Sequence, residues 1–401
     1  MHIVIIGSGL AGSTTAQTLR DQGFDGDVTL VGGETHLPYD RPPLSKDYLA
    51  GSVAFDDDVV LHPREWYDEQ RIDLRLGARA DALDPKAHQV TLADGTTLDY
   101  DKLVLATGST ARTLDLPGAD APGVHTLRTR EDSDAIRAEF GEGRRLVVVG
   151  AGWIGLEVAA TARGAGTTVT VLEHEELPLL KVLGPEMAQV FADLHTQNGV
   201  ELRPQVEVQE IVVENGRAAG VRLADGSTVE ADAVVIGVGA APELALAEAA
   251  GLDVENGVLV DASLRSSDPD VYAVGDIAAH DHPTFGRLRV EHWNAASTHP
   301  ATAVAALLGG DATYTDAPYF FSDQFDLGME YVGHAPQGSY ARIVTSGDVA
   351  GREFVASWLD GSDRLLAVMN VNVWDGLDEV RSYVGSKDPV SEETLQVADQ
   401  K

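Results

Sequence analysis

The chain has 401 residues, which is enough for two or three domains with a sizeable hydrophobic core. It carries 64 acidic and 29 basic residues, and the net charge of −35 argues against binding to nucleic acid or to an anionic membrane surface. It contains no cysteine, which excludes disulfides, thiolate metal sites and dithiol redox chemistry carried by this chain, and we expect no bound metal.

The apolar run at the N-terminus predicts a buried strand rather than a signal peptide, because no basic region precedes it in MHIVIIGSG. No stretch approaches the ~20 consecutive apolar residues that a membrane span needs. We therefore expect a cytoplasmic protein that does not associate with membranes.

Residues 1–35 predict a strand, a glycine-rich turn, a helix and a second strand. The turn lies in VIIGSGLAG and carries Gly7, Gly9 and Gly12, the pattern of a dinucleotide-binding fingerprint. Its glycines allow a tight turn and a close backbone approach to a pyrophosphate, which lies at the helix N-terminus. The second strand, VTLVGG, ends beside Glu34, whose carboxylate can accept hydrogen bonds from an adenosine ribose.

The following region begins with the proline-rich segment PYDRPPLSKDYL, whose start is unsuited to a regular element. Residues 88–107 then alternate as a hairpin with its turn at Asp94-Gly95, and they end in the apolar strand LVLATGS. Residues 200–239 show the same plan, with a turn at Asp225-Gly226 and a final strand AVVIGVG. We interpret this similarity as an internal repeat of a whole domain plan.

The opening plan also recurs at residues 144–173. The strand LVVVG leads into a second fingerprint, with Gly150, Gly152 and Gly155, and then into a helix. The next strand, TTVTVLE, ends at Glu173. Two fingerprints indicate two bound dinucleotides, and the economical reason for holding two is to pass electrons between them.

The remaining elements return to the first domain and then change character. VYAVGD, at 271–276, predicts a short buried strand. From about Tyr319 aromatic residues are frequent, and the alternation in REFVASWL and RLLAVMNVNV predicts an antiparallel sheet. The predicted fold class is therefore α/β, with two Rossmann-like three-layer dinucleotide-binding domains and a C-terminal α+β domain.

Nearly the whole chain resembles the flavin-dependent pyridine-nucleotide oxidoreductases that have two dinucleotide-binding domains. More narrowly, it resembles the ferredoxin reductases of bacterial oxygenase systems, the putidaredoxin-reductase and biphenyl-dioxygenase-reductase group. The segments that carry this resemblance are PYDRPPLSK, ATGS, GAGWIGLEVAA, VYAVGD, EHWNAA and FFSDQFDLGMEYVG. The resemblance implies a discontinuous FAD-binding domain at 1–112 and 240–317, an NADH-binding domain at 113–239, and a C-terminal α+β interface domain at 318–401.

The resemblance implies non-covalent FAD at the first fingerprint. Where family members often carry two acids at the adenosine ribose, this chain has Gly33 and Glu34. Asp276 would bind the ribityl chain, although a carboxylate there can also cap a helix. The residues that match FAD-binding positions of the family are Gly7, Gly9, Ala11, Gly12, Gly33, Glu34, Arg41, Lys46, Ala80, Thr107, Gly108, Arg128, Gly275, Asp276 and Trp293.

The second fingerprint would hold NADH. A carboxylate at Glu173 favours the free 2′-hydroxyl of NADH and repels the 2′-phosphate of NADPH, and no arginine follows it in His174, Glu175 and Glu176. The residues that match NADH-binding positions are Gly150, Gly152, Ile154, Gly155, Glu157, Glu173 and Gly239.

Three residues are candidates for a catalytic role. The resemblance places Lys46 near flavin N5 at a partly open site, and it places Glu157 on the helix of the second fingerprint, where the two either influence flavin reduction or form a structural ion pair. Trp293 either guides electrons or fills the cofactor pocket. We interpret its neighbours His292 and His299 as packing or surface residues.

The disulfide-reducing relatives carry a CxxxxC pair in the segment that corresponds to 41–46, whereas this chain has RPPLSK. Electrons must therefore leave the flavin directly. The resemblance implies an iron–sulfur ferredoxin as the acceptor, with the protein feeding an oxygenase as a monomer or weak homodimer. The alternatives are a reductase of rubredoxin or of another one-electron carrier, and a nucleotide-sensing protein related to apoptosis-inducing factors.

Overall fold

The run HIVII, which is β-branched from Ile3 onward, forms the strand His2–Ile6 at the centre of a parallel sheet, and its residues from Ile3 onward are buried. A strand that is covered on both faces is apolar along its length, which is typical of a three-layer α/β fold. The structure is a computed structural model that describes residues 1–400. Its internal contacts divide the chain into two units, one formed by residues 1–40, 55–110 and 241–319, and the other by residues 41–54, 111–240 and 320 onward.

The first unit contains five parallel strands in the spatial order Ile72–Arg75, Asp27–Val31, His2–Ile6, Lys102–Leu105 and Val271–Ala273. The helix Leu10–Asp21, here called the first fingerprint helix, follows the central strand and packs against the helix Trp293–Leu307. Two three-stranded sheets belong to the same unit. The strands of one are Ala80–Asp84, Gln89–Leu92 and Thr97–Asp99. The strands of the other are Val258–Val260, Ala278–His282 and Gly286–Arg289. The short helical segments of this unit are Phe55–Val59, Arg64–Glu69, Ala245–Ala249 and Gly275–Ile277.

The second unit repeats this sheet. Its five parallel strands have the spatial order Glu201–Arg203, Thr168–Leu172, Arg145–Val149, Ala233–Ile236 and Val124–His125. The helix Trp153–Gly164, here called the second fingerprint helix, follows the central strand. The other elements around this sheet are the helices Pro42–Ser45, Asp47–Ala50, Arg130–Arg137 and Leu180–Gln197, and the antiparallel strands Val208–Glu214, Arg217–Leu223 and Thr228–Glu230.

The chain beyond residue 318 forms a five-stranded antiparallel sheet. Its strands have the spatial order Tyr319–Gln324, Leu327–Gly333, Leu365–Val371, Glu353–Leu359 and Arg342–Asp348. Trp358 and Phe354 are fully buried in its core. Short helices follow at Asp378–Ser382, Glu392–Leu395 and Val397–Gln400, and the strands Ser109–Ala111 and Ala240–Pro242 lie where the chain passes between the two units.

These observations confirm the predicted fold class and the predicted repeat of one domain plan. In each parallel sheet the strand that precedes the glycine-rich turn, His2–Ile6 or Arg145–Val149, is the third of five. The turns Asp94-Gly95 and Asp225-Gly226 each join antiparallel strands, as predicted. The three-domain division at residues 112/113, 239/240 and 317/318 stays a prediction. Within residues 1–400, no helix combines the length and hydropathy that crossing a bilayer requires.

Candidate functional site

The turn of the first fingerprint is packed too tightly for side chains at two of its glycines. A Cβ on Gly7, whose φ is +111°, would lie 2.1 Å from the carbonyl oxygen of Ala106, and a Cβ on Gly12 would lie 1.8 Å from the carbonyl oxygen of Gly7. A Cβ on Gly9 would meet no protein atom within 4 Å. Gly9 is also the N-cap of the first fingerprint helix and no side chain caps it, so its first N–H groups face this open space and suit an anion.

The turn of the first fingerprint also contacts the second strand. The Gly7 N–H donates to the carbonyl of Val31 at 2.8 Å, and a Cβ on Gly32 would lie 1.9 Å from the Ser8 hydroxyl. Gly33 and Glu34 follow directly. The Tyr39 hydroxyl donates to the Glu34 carboxylate at 2.6 Å, which fixes this side chain at the carboxyl end of the sheet.

The segment around Asp276 also meets the fingerprint helix. Gly275 has a φ of +72°, and a Cβ there would lie 2.9 Å from the Cβ of Ala11. Asp276 belongs to the helical turn Gly275–Ile277, whose N-cap is Val274, so the interpretation of Asp276 as the cap of this turn is wrong. The Gly275 N–H donates to Nδ1 of His299 at 3.2 Å.

The other predicted flavin residues of the first unit occupy strand ends and a helix start. Ala80 begins the strand that pairs with Gln89–Leu92, and Thr107 and Gly108 follow the strand Lys102–Leu105. Trp293 begins its helix, is 39% exposed, and donates from Nε1 to the Asp40 carboxylate at 2.8 Å. Burial raises the pKa of Asp40 above its usual value.

The second fingerprint repeats the geometry of the first. The Gly150 N–H donates to the carbonyl of Leu172 at 2.8 Å, and a Cβ on Gly155 would lie 2.2 Å from the Gly150 carbonyl oxygen. Beside this turn lies an open cleft of about 590 Å³. Four predicted NADH residues line it, and they are Gly150, Gly152, Glu173 and Gly239.

The carboxylate of Glu173 holds the turn through both of its oxygens. One oxygen accepts the N–H of Ala151 at 2.6 Å and the other accepts the N–H of Glu175 at 2.9 Å. Lys181 also lines the cleft, and its ammonium lies 2.6 Å from the Glu175 carboxylate, which raises the pKa of Lys181. Lys181, a cation that interacts with Glu173, is therefore already paired with another acid.

The remaining predicted NADH residues lie outside the lining of this cleft. Ile154 is 46% exposed on the first turn of the second fingerprint helix, and Gly155 packs against Gly150. Glu157, on the same helix, is 3% exposed and contacts a different set of residues.

Glu157 is the centre of a buried polar cluster. Its Oε1 lies 3.0 Å from the ammonium of Lys46, whose side chain is 14% exposed. The Ser322 hydroxyl donates to the same oxygen at 2.7 Å, and the Ser45 hydroxyl donates to Oε2. The Lys46 ammonium also lies 5.3 Å from the centre of the Phe321 ring. The predicted pairing of Lys46 with Glu157 is therefore present, and two hydroxyl donors share the carboxylate with Lys46.

No pattern in the sequence predicted the continuation of this cluster. The Gln324 side-chain amide donates to the Ser322 hydroxyl at 3.0 Å, and its oxygen lies 2.9 Å from Nε2 of the fully buried His195. Burial lowers the pKa of His195 to about 4, so this ring is neutral at pH 7. Nε2 of His195 therefore donates to Gln324, the Gln324 amide donates to Ser322, and the Ser322 hydroxyl donates to the Glu157 carboxylate.

Arg41 and Arg128 form a separate contact in the second unit. The Arg41 guanidinium donates to the backbone carbonyl of Arg128, and the N–H of Arg128 donates to Asp132 at 2.9 Å. Asp132 also forms a capping box with Thr129 at the start of the helix Arg130–Arg137. The predicted FAD residues Arg41, Lys46 and Arg128 thus belong to the second unit, whereas the others belong to the first.

Comparison with known proteins places this geometry in a family. A family model described as pyridine nucleotide-disulphide oxidoreductase matches residues 1–300, and one described as reductase C-terminal matches residues 319–401. The chain belongs to the pyridine nucleotide-disulphide oxidoreductase family. The family assignment predicted from the sequence is confirmed, and the chain is an oxidoreductase.

Relatives of this oxidoreductase are similar along almost its whole length. It is 43% identical to the 5,5'-dehydrodivanillate O-demethylase ferredoxin reductase subunit of Sphingobium sp., over 89% of this chain and 86% of that protein. It is 41% identical to the ferredoxin--NAD(+) reductase component of the anthranilate 1,2-dioxygenase system of Burkholderia cepacia, over 96% and 94%. It is also 37% identical to the putidaredoxin reductase of Pseudomonas putida, over 98% and 94%.

A solved structure agrees with these relatives. The oxidoreductase superposes with a TM-score of 0.94 on a chain from the crystal structure of the covalent putidaredoxin reductase-putidaredoxin complex, at 36% identity and with coverage of 98% of this chain and 95% of that chain. A match of this extent includes both parallel sheets and the C-terminal antiparallel sheet.

Proposed function

We propose that this protein is an NADH:ferredoxin reductase that takes hydride from NADH onto FAD and passes single electrons to an iron–sulfur ferredoxin that feeds an oxygenase. The observation that carries the proposal is a pair of nucleotide-binding turns with the same geometry in a chain without cysteine. Such a chain can move electrons between two dinucleotides but cannot release them through a dithiol. The ferredoxin-reductase relatives, similar over 86% or more of both chains, support the acceptor class.

FAD fits the first fingerprint because Gly9 leaves an open space at an uncapped helix N-terminus, where a pyrophosphate suits the N–H groups. Glu34, held by Tyr39, would accept hydrogen bonds from the adenosine ribose, and Asp276 would accept those of the ribityl hydroxyls. When bound, FAD supplies the step from a two-electron hydride to single electrons.

We expect the two fingerprint glycines Gly9 and Gly12 to respond differently to alanine. Gly9 has φ −73° and ψ −171°, which alanine adopts readily, so Gly9→Ala should fold but bind FAD about tenfold more weakly, or about 1.4 kcal/mol. Gly12→Ala, the matched control, should lower the thermal unfolding temperature, because its Cβ would lie 1.8 Å from a backbone oxygen. Flavin absorbance after dialysis and circular dichroism on heating measure both effects. Full flavin content in Gly9→Ala would contradict this placement of the pyrophosphate.

NADH fits the cleft beside the second fingerprint, because Gly152 leaves the turn open and Glu173 ends the second strand. Its ribose hydroxyls would bind the Glu173 carboxylate, which the N–H groups of Ala151 and Glu175 hold in place. The protein's part in hydride transfer is to position the two nucleotides, since the transfer needs no protein acid or base.

The test is a direct comparison of two acceptors. We expect NADH to drive reduction of a dye without ferredoxin, and reduction of cytochrome c only when a purified [2Fe–2S] ferredoxin is present. Because this chain lacks cysteine, pretreatment of the reductase with a thiol-blocking reagent should leave both rates unchanged, and disulfide substrates should not be reduced.

Two other outcomes of this assay would contradict the proposal. Rapid dye reduction with no transfer to ferredoxin, together with transfer to rubredoxin, would support the rubredoxin alternative. Slow reduction with every acceptor would support a nucleotide-sensing role. None of the relatives named above favours either alternative.

Several finer points belong to the same proposal. We place the protein in the cytoplasm, where NADH is the usual reductant, as a monomer or weak homodimer that binds neither nucleic acid nor membranes. The net charge of −35 supports the last point. We retain the boundaries 1–112 and 240–317 for the FAD-binding domain, 113–239 for the NADH-binding domain and 318–401 for the C-terminal domain.

A further inference from the structure

His299 lies on the helix Trp293–Leu307 and is fully buried. Its Nδ1 accepts the backbone N–H of Gly275 at 3.2 Å. A ring nitrogen that accepts a hydrogen bond carries no proton, so the proton of this imidazole lies on Nε2 and the ring is neutral. Nε2 is buried and has no hydrogen-bond partner among the described residues.

The N–H that His299 accepts belongs to the turn beside the first fingerprint. Gly275 brings this turn to the start of the fingerprint helix, where even a Cβ would approach Ala11 to 2.9 Å. Asp276 is the next residue. A buried acceptor on Gly275 therefore fixes the position from which the Asp276 carboxylate extends.

Imidazole and phenol rings surround His299, and none of them forms a hydrogen bond with its Nε2. The ring of His280 lies 5.0 Å away between centroids, His282 lies 5.8 Å beyond His280, and the Tyr314 ring lies 4.5 Å from His299. Both nitrogens of His280 are buried without hydrogen-bond partners in the described chain. A cavity of about 10 Å³ lies beside His299, His280, Tyr314 and Asp316.

His280, His282 and His299 form a buried histidine cluster, and the charged groups around it do not offset the effect of burial on the pKa values of these rings. His282 and Arg287 act against a positive charge on His280, whereas Asp281 favours it. Backbone hydrogen bonds of Thr315 and Asp316, and the Asp316 carboxylate, favour a positive charge on His282. His292, at the N-cap of the same helix, lies near Asp276 and Glu291. Burial dominates, and it lowers the pKa of His299 to about 3 and those of His280 and His292 to about 4.

We propose that neutral His299 is a positioning residue that holds the Gly275-Asp276 turn for FAD, and that a proton on its Nδ1 releases this turn and the cofactor. The proposal rests on the proposed function, since that function assigns the turn to FAD. A protonated Nδ1 would direct its own N–H at the N–H of Gly275. Two donors cannot form a hydrogen bond with each other, so the bond is lost and the turn must move.

The direction of the pH dependence follows from the depressed pKa of His299. Burial in the closed turn lowers the pKa of His299 to about 3, whereas an opened turn exposes a histidine with an ordinary pKa near 6.5. The contribution of His299 is fully present above about pH 6.5 and is lost as the pH falls below that value. Between pH 7.5 and pH 5, where most carboxylates stay ionised, the Kd for FAD should rise roughly tenfold or more.

Three variants separate His299 from its neighbours. His299→Gln keeps an oxygen that can accept the Gly275 N–H but cannot gain a proton, so its Kd for FAD should change less than about threefold over this pH range. His299→Leu should bind FAD weakly at every pH. His280→Gln is the matched control in the same cluster. Neither ring nitrogen of His280 forms a hydrogen bond in the described chain, so this variant should retain the pH dependence of the unmodified protein.

The measurements are fluorescence titration of the apoprotein with FAD at each pH, and circular dichroism of each apoprotein to establish that it is folded. A pH-independent Kd in the unmodified protein would overturn the proposal, as would an unchanged pH dependence in His299→Gln or its loss in His280→Gln. Absence of FAD binding by the unmodified protein at pH 7.5 would instead contradict the proposed function. If His299→Leu does not fold, the two glutamine variants still decide the question.

Discussion

Replacing Lys46 with methionine is expected to slow the reduction of bound FAD by NADH about tenfold or more. The family resemblance places this ammonium near flavin N5, where it would stabilise the negative charge of the reduced cofactor. Loss of such a charge partner costs roughly 1–3 kcal/mol. Stopped-flow absorbance of the flavin under anaerobic conditions measures the rate.

The structure adds a second effect to this substitution. Lys46 is paired with Glu157, which is 3% exposed, so methionine would leave a buried carboxylate without its cation. Such a loss costs about 3–5 kcal/mol of stability, whereas removing a partly exposed lysine would cost little. We therefore expect Lys46→Met to unfold at a lower temperature than the unmodified protein.

A double-mutant cycle separates the two effects. Glu157→Gln removes the carboxylate charge and leaves an oxygen for the Ser322 hydroxyl, which donates to Glu157 at 2.7 Å. Combining it with Lys46→Met should restore much of the stability but not the rate of flavin reduction. If Lys46→Met binds FAD and is reduced at the unmodified rate, Lys46 is only the structural partner of Glu157.

Replacing Glu173 with arginine is expected to narrow or reverse the preference for NADH. In the unmodified protein, repulsion between the Glu173 carboxylate and a 2′-phosphate should lower kcat/KM for NADPH by roughly 10–100-fold, or about 1–3 kcal/mol. The carboxylate cannot turn away from the cleft, because the N–H groups of Ala151 and Glu175 hold both oxygens. Steady-state kinetics with both nucleotides measures the ratio.

Glu173→Gln is the matched control for this substitution. Glutamine keeps an oxygen for the N–H of Ala151 but removes the charge. It should therefore narrow the preference for NADH over NADPH without reversing it. Loss of activity with both nucleotides in Glu173→Arg alone would mean that the carboxylate mainly supports the turn. Equal activity of the unmodified enzyme with NADH and NADPH would show that Glu173 does not select the nucleotide.

The sequence predicted features whose causes are local. The glycine spacing at Gly7, Gly9 and Gly12 reports a turn that only those residues allow, and the apolar strands around it follow from burial on both faces. The pairing of Lys46 with Glu157 was available only through the family resemblance, since 111 residues separate them in the chain.

The features that sequence patterns missed depend on distant contacts. The chain from Glu157 through Ser322 and Gln324 to His195 joins two helices and a strand by single side chains, and none of these residues has a local pattern. His299 resembled a packing residue, because its acceptor role depends on a glycine 24 positions earlier. The strand Val124–His125 is too short to show alternation.

The order of strands along the chain sets the order in which the two parallel sheets can close during synthesis. All strands of the second sheet lie between Val124 and Ile236, so that sheet can form once residue 236 has left the ribosome. The first sheet needs Val271–Ala273 to cover the strand Lys102–Leu105. Until then this apolar strand is an open edge that can pair with other chains, so the nascent protein needs protection there before its first nucleotide-binding sheet is complete.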